Sequence, residues 1–555
     1  MMEDITIGLD FGTHQSKVCF EDASDPRNRE YSFMEFSNNK GKKTLFLPSI
    51  VQINNDKTVS YGFVDEKNAL VLGKVHSFDE PQLVLPNEPV LKQWPEQPRP
   101  VPVKSLESYI AAIPRKEIYP RGRRKKNNKK KTVLSIPYHI AVEQYEVYKE
   151  ETERKNHIEY FRWKHLCTQV DQENARILER HKKECQKAEE DFKAKHNYWA
   201  RSVVNKKALY RYFKIATFSE DYEWTESISP KIISTWYIAY ILFCIFEKYP
   251  DNTPIQMGIP ESIGDEYADI QKANAEDVFY TAYLLYKRFG SLEKYLKASY
   301  EELLSLTDFT QYKKGSFKDG SQILVLPEAF AGLLTIAQQG KLGIGMTLLV
   351  DIGGGSTDIS LFNVISHRNG AIPNVSRIIS LHKGLNYIYA LYRKEHYNMT
   401  IEEIRSLFVK SPEEFTDVIE QFRKELVEIV QDEIYYPLYM AALKRGIGKE
   451  RIMPILSARP VVYSGGGGIY EEFHKRIHVF TEPVSVSKEL LSLKNISNKR
   501  LTDEELSILA VAYGLSIPQF KEPEMIPLEN LFDSIQLVNE RQRPSSYEHG
   551  MSDVE

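Results

Sequence analysis

The sequence predicts a two-lobed α/β protein in which one strand–turn–strand unit occurs twice and a long helical insertion interrupts the first lobe. Three observations carry that expectation. LDFGTHQSKVCF, from Leu9, and VDIGGGSTDISLF, from Val350, share one design: an apolar strand ending in Asp, a Gly-containing turn with hydroxyls, and a second alternating strand. A third glycine run, in PVVYSGGGGIYEEFHKRI, reads as a strand, then Gly465 to Gly468, then an amphipathic helix. Between Pro137 and Pro230 there is neither Gly nor Pro, and Glu, Lys, Arg, Gln and Ala dominate. Those residues lose least on entering a helix, so long helices are expected there.

With 555 residues, 42% hydrophobic and 27% charged, the chain can bury a large core and should divide into several compact units. Its 73 basic and 77 acidic residues leave a net charge of -4, which excludes a general pull on nucleic acid or acidic lipid. The four cysteines, Cys19, Cys167, Cys185 and Cys244, show neither CxxC spacing nor the density of a disulfide framework, which fits a reducing, cytoplasmic setting. The opening MMEDITIGLDFG has no basic region followed by an apolar stretch and already reads as a folded strand. The most apolar window, Ile232 to Phe246, falls short of the ~20 residues of a membrane helix and is read as a buried core helix.

Residues 5 to 75 alternate with the period of strands, and 1–79 is taken as the N-terminal part of the first lobe. From about 80 to 135 a proline-rich stretch, EPQLVLPNEPVLKQWPEQPRPVPVK, is followed by the basic run RGRRKKNNKKK, both expected to form an exposed, partly disordered excursion. The run Arg121 to Lys131 is read as a solvated loop, with nucleic-acid binding as the alternative. Within the helical stretch a weak stripe of Cys167, Val170, Asn174, Leu178, His181, Cys185, Ala188 and Phe192 points to a coiled-coil seam or a helical hairpin. The insertion is thus placed at 80–205, the rest of the first lobe at 206–345, the second lobe at 346–500, a closing helix at 501–520 and a polar tail at 521–555.

The chemistry of the turns follows from their residue types. Glycine lets backbone N–H groups approach a phosphate, and successive N–H groups form an anion-binding concavity to which Thr13 and Ser356 can add hydroxyl donors. Asp10 and Asp351, at the strand ends, would face each other if the two halves pack about a pseudo-twofold axis, making a hard oxygen site for hydrated Mg²⁺. One such hairpin alone reads as an ordinary turn, and GGGS alone as a linker. Two copies with a third glycine run reverse that balance.

The ordered set IGLDFGTHQS, DIGGGSTDISL and VVYSGGGGIY resembles the phosphate-1, phosphate-2 and adenosine motifs of the superfamily of actin, sugar kinases and DnaK-type heat-shock chaperones, whose fold duplicates a ribonuclease H-like unit. IQMGIPESIGDE, ILVLPEAFAGLL and LAVAYGLSI resemble further elements of the DnaK-type branch, and RYFKIATF resembles the element bearing its catalytic lysine. The resemblance covers about 1 to 75 and 206 to 518. It departs in three places: His14 and Gln15 stand where small hydroxyl or amide residues are usual, GGGG lacks a serine and an arginine, and Ile508 stands where an acid is common.

The resemblance implies binding and slow hydrolysis of ATP to ADP, with Mg²⁺, used to switch lobe closure. It places the nucleotide on Gly12, Thr13, His14, Gly353, Gly354, Gly355, Ser356, Gly465, Gly466, Gly467 and Gly468, the metal at Asp10 and Asp351, and catalysis on Lys214, Glu328 and Asp358. For His14 the readings as a phosphate contact and as an exposed turn residue both stand. A small-molecule kinase or exopolyphosphatase, and a nucleotide-binding scaffold or filament protein with little turnover, are the rival functions. The domain is expected to end near Pro518, leaving no room for a peptide-binding sandwich with a lid, so a protein partner is expected on the 80–205 insertion.

Overall fold

A computed structural model of the chain describes residues 5–24, 29–76, 80–118, 131–219, 222–251, 253–260, 268–311, 323–338, 345–367, 370–448, 460–474, 482–485, 496–498, 501–519 and 528. The chain divides into two compact units, Met1–Gly73 with Asn205–Glu555, and Lys74–Val204. The basic run before Lys131, residues 261 to 267 (ESIGDEY) and nearly all of the polar tail lie outside the described residues.

In the first unit, strands β1 (Ile5–Asp10) and β2 (Gln15–Asp22) form an antiparallel hairpin, and β3 (Glu30–Phe33) extends it on the β2 side. On the other side β4 (Ile255–Ile259) runs parallel to β1, and β5 (Ile323–Pro327) parallel to β4. The second lobe repeats this order. Strands β6 (Gly345–Ile352), β7 (Thr357–His367) and β8 (Gly370–Leu381) are antiparallel, while β9 (Pro460–Ser464) and then β10 (Glu482–Ser485) add in parallel to β6. The two sheets therefore have one topology, and the fold is the duplicated two-lobed α/β architecture.

Burial explains the residue patterns. β1 is covered on both faces, so ITIGLD is nearly continuously buried rather than strictly alternating. The Pro230–Phe246 helix is apolar all round because it sits inside the first-lobe core, with Trp236, Tyr237 and Ile238 fully buried. Proline at its first position suits a helix start, where the missing N–H has no partner to lose.

Two helices join the sheets. Glu328–Gln338 and Asp503–Ser516 pack with residues of both lobes in one core that includes Phe330, Leu349, Val462 and Leu509. They touch at Gly514, where a Cβ would lie 1.7 Å from Ala331 O, and the second helix reaches β1 at Gly8, where a Cβ would lie 2.3 Å from Ala512 O. Its start is set by a capping box: Thr502 Oγ1 accepts from the Glu505 N–H and Glu505 Oε2 accepts from the Thr502 N–H. The expected amphipathic helix after the third glycine run is, over its described part, a single 3-10 turn, Glu471–Phe473. The tight Gly465–Gly468 turn folds the chain back on itself there, with Tyr470 N–H donating to Gly467 O.

The second unit is dominated by one unbroken helix, Tyr138–Arg201, of 64 residues, about 96 Å at ~1.5 Å per residue. This corrects the expectation of a helical hairpin. Along the helix lies the extended proline-rich segment instead. Asn174 bonds both the N–H and the C=O of Lys92 at 2.9 Å, and Asn156 does the same to Val101. Nine proline-rich residues at ~3.1 Å span about 28 Å and eighteen helical residues at ~1.5 Å span about 27 Å, so the two asparagines meet their targets in register. Trp163 Nε1 donates to Pro95 O and Trp94 Nε1 to Asp171, adding to the attachment. The proline-rich stretch is thereby ordered against the helix, because the stripe was too polar for a helical partner yet offers amide side chains to an extended backbone.

Candidate nucleotide site

The two hairpins have the same span, Asp10 to Lys17 and Asp351 to Asp358, and in each the first and last of these residues are directly paired across the strands. Glycine is required by close approach. A Cβ on Gly12 would lie 2.1 Å from Gln15 O, and the Gly353 N–H closes its turn on Ser356 O at 2.8 Å. The turns also pack on each other: Gly354 lies under the His14 ring, and Gly355 against Thr13 and Ile215. Gly465 has φ +78°, and a Cβ there would sit 2.3 Å from Asp351 Oδ1, so the third glycine run is pressed onto the second hairpin.

Between the lobes lies a cleft of about 260 Å³. Its walls include Asp10, Gly12, Thr13 and His14 from the first hairpin, Asp351, Gly353, Gly354, Ser356 and Asp358 from the second, and Gly465 and Gly466 from the third run. Lys214 and Glu328 complete the charged end. Of the glycines expected to hold nucleotide, Gly355, Gly467 and Gly468 do not line the cleft. They build its turns: the Gly467 N–H donates to Ile352 O and the Gly468 N–H to Gly465 O.

Lys214 is carried by the short helix Phe213–Phe218, entered through Tyr212 at φ +61°, a left-handed conformation that a bulky residue adopts only under local constraint. Its Nζ meets Glu328 Oε1 at 2.5 Å, both side chains being almost fully buried. Glu328 begins its helix directly after β5, and Gly258 on β4 makes room for it, since a Cβ there would lie 2.8 Å from Glu328 Cγ. Lys17 Nζ meets Asp10 Oδ2 at 2.7 Å.

Asp10, Asp351, Asp358 and Glu328 thus meet Lys17 and Lys214 at one buried end of the cleft, and the imbalance shows in their acidity. Burial, with Asp358 and Asp10 nearby, pushes Asp351 up to about 7. Burial also raises Glu328, Lys214 opposing the rise and Asp10 and Asp358 adding to it. Asp358 is raised by burial as well, and its Oδ1 has no hydrogen-bond partner among the described residues. Burial acts to lower Lys214, but Glu328, Asp10 and Asp358 together hold it above the usual lysine value.

This donor set suits a hydrated divalent cation. No group of three or more His, Cys, Asp or Glu side chains among the described residues is arranged to enclose an ion. Mg²⁺ dehydrates reluctantly and is held through one or two carboxylates, with water and phosphate oxygens filling the rest. Asp10 and Asp351 fit that role.

Several lining residues escaped the sequence reading. Lys17 was legible, because aligning the two hairpins puts it opposite Asp358. Asn386, Tyr389, Arg405, Val409 and Tyr470 were not, since they come from ordinary amphipathic helices and a turn of the second lobe that only folding brings to the cleft. Ile508 lines the cleft without the usual acid, and Glu504, one helical turn earlier, supplies a carboxylate on the same wall. No helix among the described residues is long and apolar enough to cross a membrane.

The sequence matches no family model and no curated protein. Among solved structures, the chain is similar to MreB 5 of Spiroplasma citri bound to AMPPNP, at 10% identity over 93% of this chain and 95% of that one, with a TM-score of 0.36. It is similar to MreB5 of Spiroplasma citri bound to ADP at 10% identity, over 92% and 94%, with a TM-score of 0.33. Similarity to the MamK double helical filament is 11% identity, over 93% and 99%, with a TM-score of 0.35.

Proposed function

We propose that the chain is a Mg-dependent ATP-binding protein that hydrolyses ATP slowly and uses the cycle to change lobe closure. The observation that carries this reading is the pairing, across one cleft, of two hairpins of identical span, each with a carboxylate at its first position and a glycine turn between. Phosphoryl transfer needs positioning and charge neutralisation more than covalent help. Bound Mg²⁺ would supply charge neutralisation between phosphate oxygens. Asp10 and Asp351 would hold the ion, Thr13, Ser356 and the turn amides would hold phosphates, and Lys214 would supply fixed positive charge. Glu328, held by Lys214, would with Asp358 orient the attacking water and the metal's ligands.

Within the superfamily the DnaK-type branch is our preferred assignment, on the strength of the motifs around Ile255, Ile323 and Leu509. A second reading, nucleotide binding with little turnover, is favoured by one feature: Lys214 and Glu328 already satisfy each other in a closed ion pair. Titrating the protein with ATP, with and without Mg²⁺, and following phosphate release decides between them. Tight Mg-dependent binding without release favours the second, and no binding at all overturns both.

We further propose that the output goes to a protein partner on the inserted unit. Its long helix and proline-rich segment leave Trp94, Phe161 and Tyr160 exposed at 62%, 53% and 43%, the residue types that anchor interfaces. Deleting 80–205 with a short linker should keep ATP binding and abolish partner capture. Loss of nucleotide binding, or full activity in the host, would rule this out.

A further inference from the structure

We propose that the outer face of the Tyr436–Lys444 helix seats the chain's own 528–541 segment, bound along it as an antiparallel amphipathic helix. The seat is independent of the nucleotide reading. On its inner side the Tyr436–Lys444 helix buries Leu438, Ala441 and Ala442 in the second-lobe core. Its opposite side carries Tyr436, Met440 and Leu443 at the i, i+4, i+7 spacing of one helical stripe, and leaves them 59%, 37% and 41% exposed. The helix is entered through a π-helical stretch, Val430–Tyr435, a form that persists mostly at functional positions. Charges bracket the stripe, with Asp432 and Glu433 at its start and Lys444 and Arg445 at its end. Glu433 also pairs with Arg377 at 2.7 Å.

The second lobe already holds the first residue of the occupant, since Leu528 packs against the same core. Residues 529 to 541 lie outside the described residues, and their pattern is read from the sequence. In LENLFDSIQLVNER, Leu528, Leu531, Phe532, Ile535 and Val538 fall at i, i+3, i+4, i+7 and i+10, one face of an α-helix, and only Leu537 falls off it. Pro527 stands directly before this run and Pro544 shortly after it. Glu529 lies in the first turn, and Arg541 and Arg543 lie at the end, so the start and stop signals of a helix are all present.

Charge sets the direction. Asp432 and Lys444 are twelve residues apart, as are Glu529 and Arg541, so each pair spans about 18 Å at ~1.5 Å per residue. Laid antiparallel, Glu529 meets Lys444 and Arg541 meets Asp432, whereas a parallel arrangement sets like charges together at both ends. The antiparallel register brings Leu531 and Phe532 to Leu443 and Met440, and Ile535 and Val538 to Met440 and Tyr436. An apolar helix face on an apolar strip is a recurrent way of recognising a peptide, and here it takes both faces out of water.

Hydrogen exchange on the full chain tests this. The amides of Leu531 to Val538 should exchange at least ~10-fold more slowly than in an unstructured chain, and equally so after ~100-fold dilution. Met440→Glu should return them to unstructured rates while the melting temperature stays within about 2 °C, because the side chain lies at the surface. Lys444→Glu should speed their exchange, and Lys444→Glu combined with Glu529→Lys should restore it. Unstructured rates in the original protein, protection that survives Met440→Glu, or no restoration in the double variant would each overturn the seat. So would protection lost on dilution, which would place the segment on a second copy of the chain.

Discussion

Lys214 Nζ lies 2.5 Å from Glu328 Oε1, an ion pair between residues 114 positions apart that closes the charged end of the cleft. The lysine comes from the helix that follows the insertion and the glutamate from the first helix joining the lobes. Each depends on the other, since either left alone would be a buried charge without a counter-ion.

Lys214→Ala should leave ATP binding largely in place and depress hydrolysis about 10²- to 10³-fold, the usual effect of removing one positive group aimed at developing charge. Phosphate release under single-turnover conditions checks this. Normal turnover would mean that the lysine plays no catalytic part.

The nucleotide-free protein should lose stability as pH rises from about 4 to about 7. Asp351 is raised to about 7 in the fold and Glu328 is raised in the same direction, so their contribution is fully present below the unfolded carboxylate range and is lost as pH climbs through the folded values. Asp351→Asn removes one of these titrations. Its melting temperature should vary less over that window than that of the original protein, while its Mg-ATP affinity falls. Equal pH slopes for the two proteins, or undiminished Mg-ATP affinity, would contradict the arrangement.

Gly465→Ala combines a left-handed backbone at φ +78° with a Cβ 2.3 Å from Asp351 Oδ1. Gly446→Ala has nearly the same φ, +74°, with nothing within 4 Å. The control should cost about 1 kcal/mol from conformation alone, and Gly465→Ala clearly more, with loss of ATP binding. Comparable melting temperatures for the two variants would remove the contact between the third glycine run and Asp351.

Asn174→Ala and Asn156→Ala should each release the proline-rich segment locally. The amides of Lys92 and Val101 donate to these side chains at 2.9 Å, so their hydrogen exchange should accelerate while nucleotide affinity stays unchanged. Exchange that is already fast in the original protein would contradict the clamp.

Much of the site was legible because its parts are local. Asp10 and Gly12, or Asp351 and Gly353, sit within one turn, and the chemistry of a glycine turn between alternating strands is written in adjacent residues. The Pro230–Phe246 helix was equally legible, since an apolar stretch too short for a bilayer is best buried in a core. What the sequence by itself determined was therefore the repeated hairpin, the helical character of 138–201 and the residue types of the charged end. The tertiary structure decided which surfaces meet. It turned a weak helical stripe into a track for a proline-rich segment, because asparagine pairs with an extended backbone that no periodicity reveals. It brought Arg405 and Asn386 to His14 from 391 and 372 residues away. Such contacts depend on how two sheets of one topology pack through the Glu328–Gln338 and Asp503–Ser516 helices, and packing at that distance leaves no pattern in neighbouring residues.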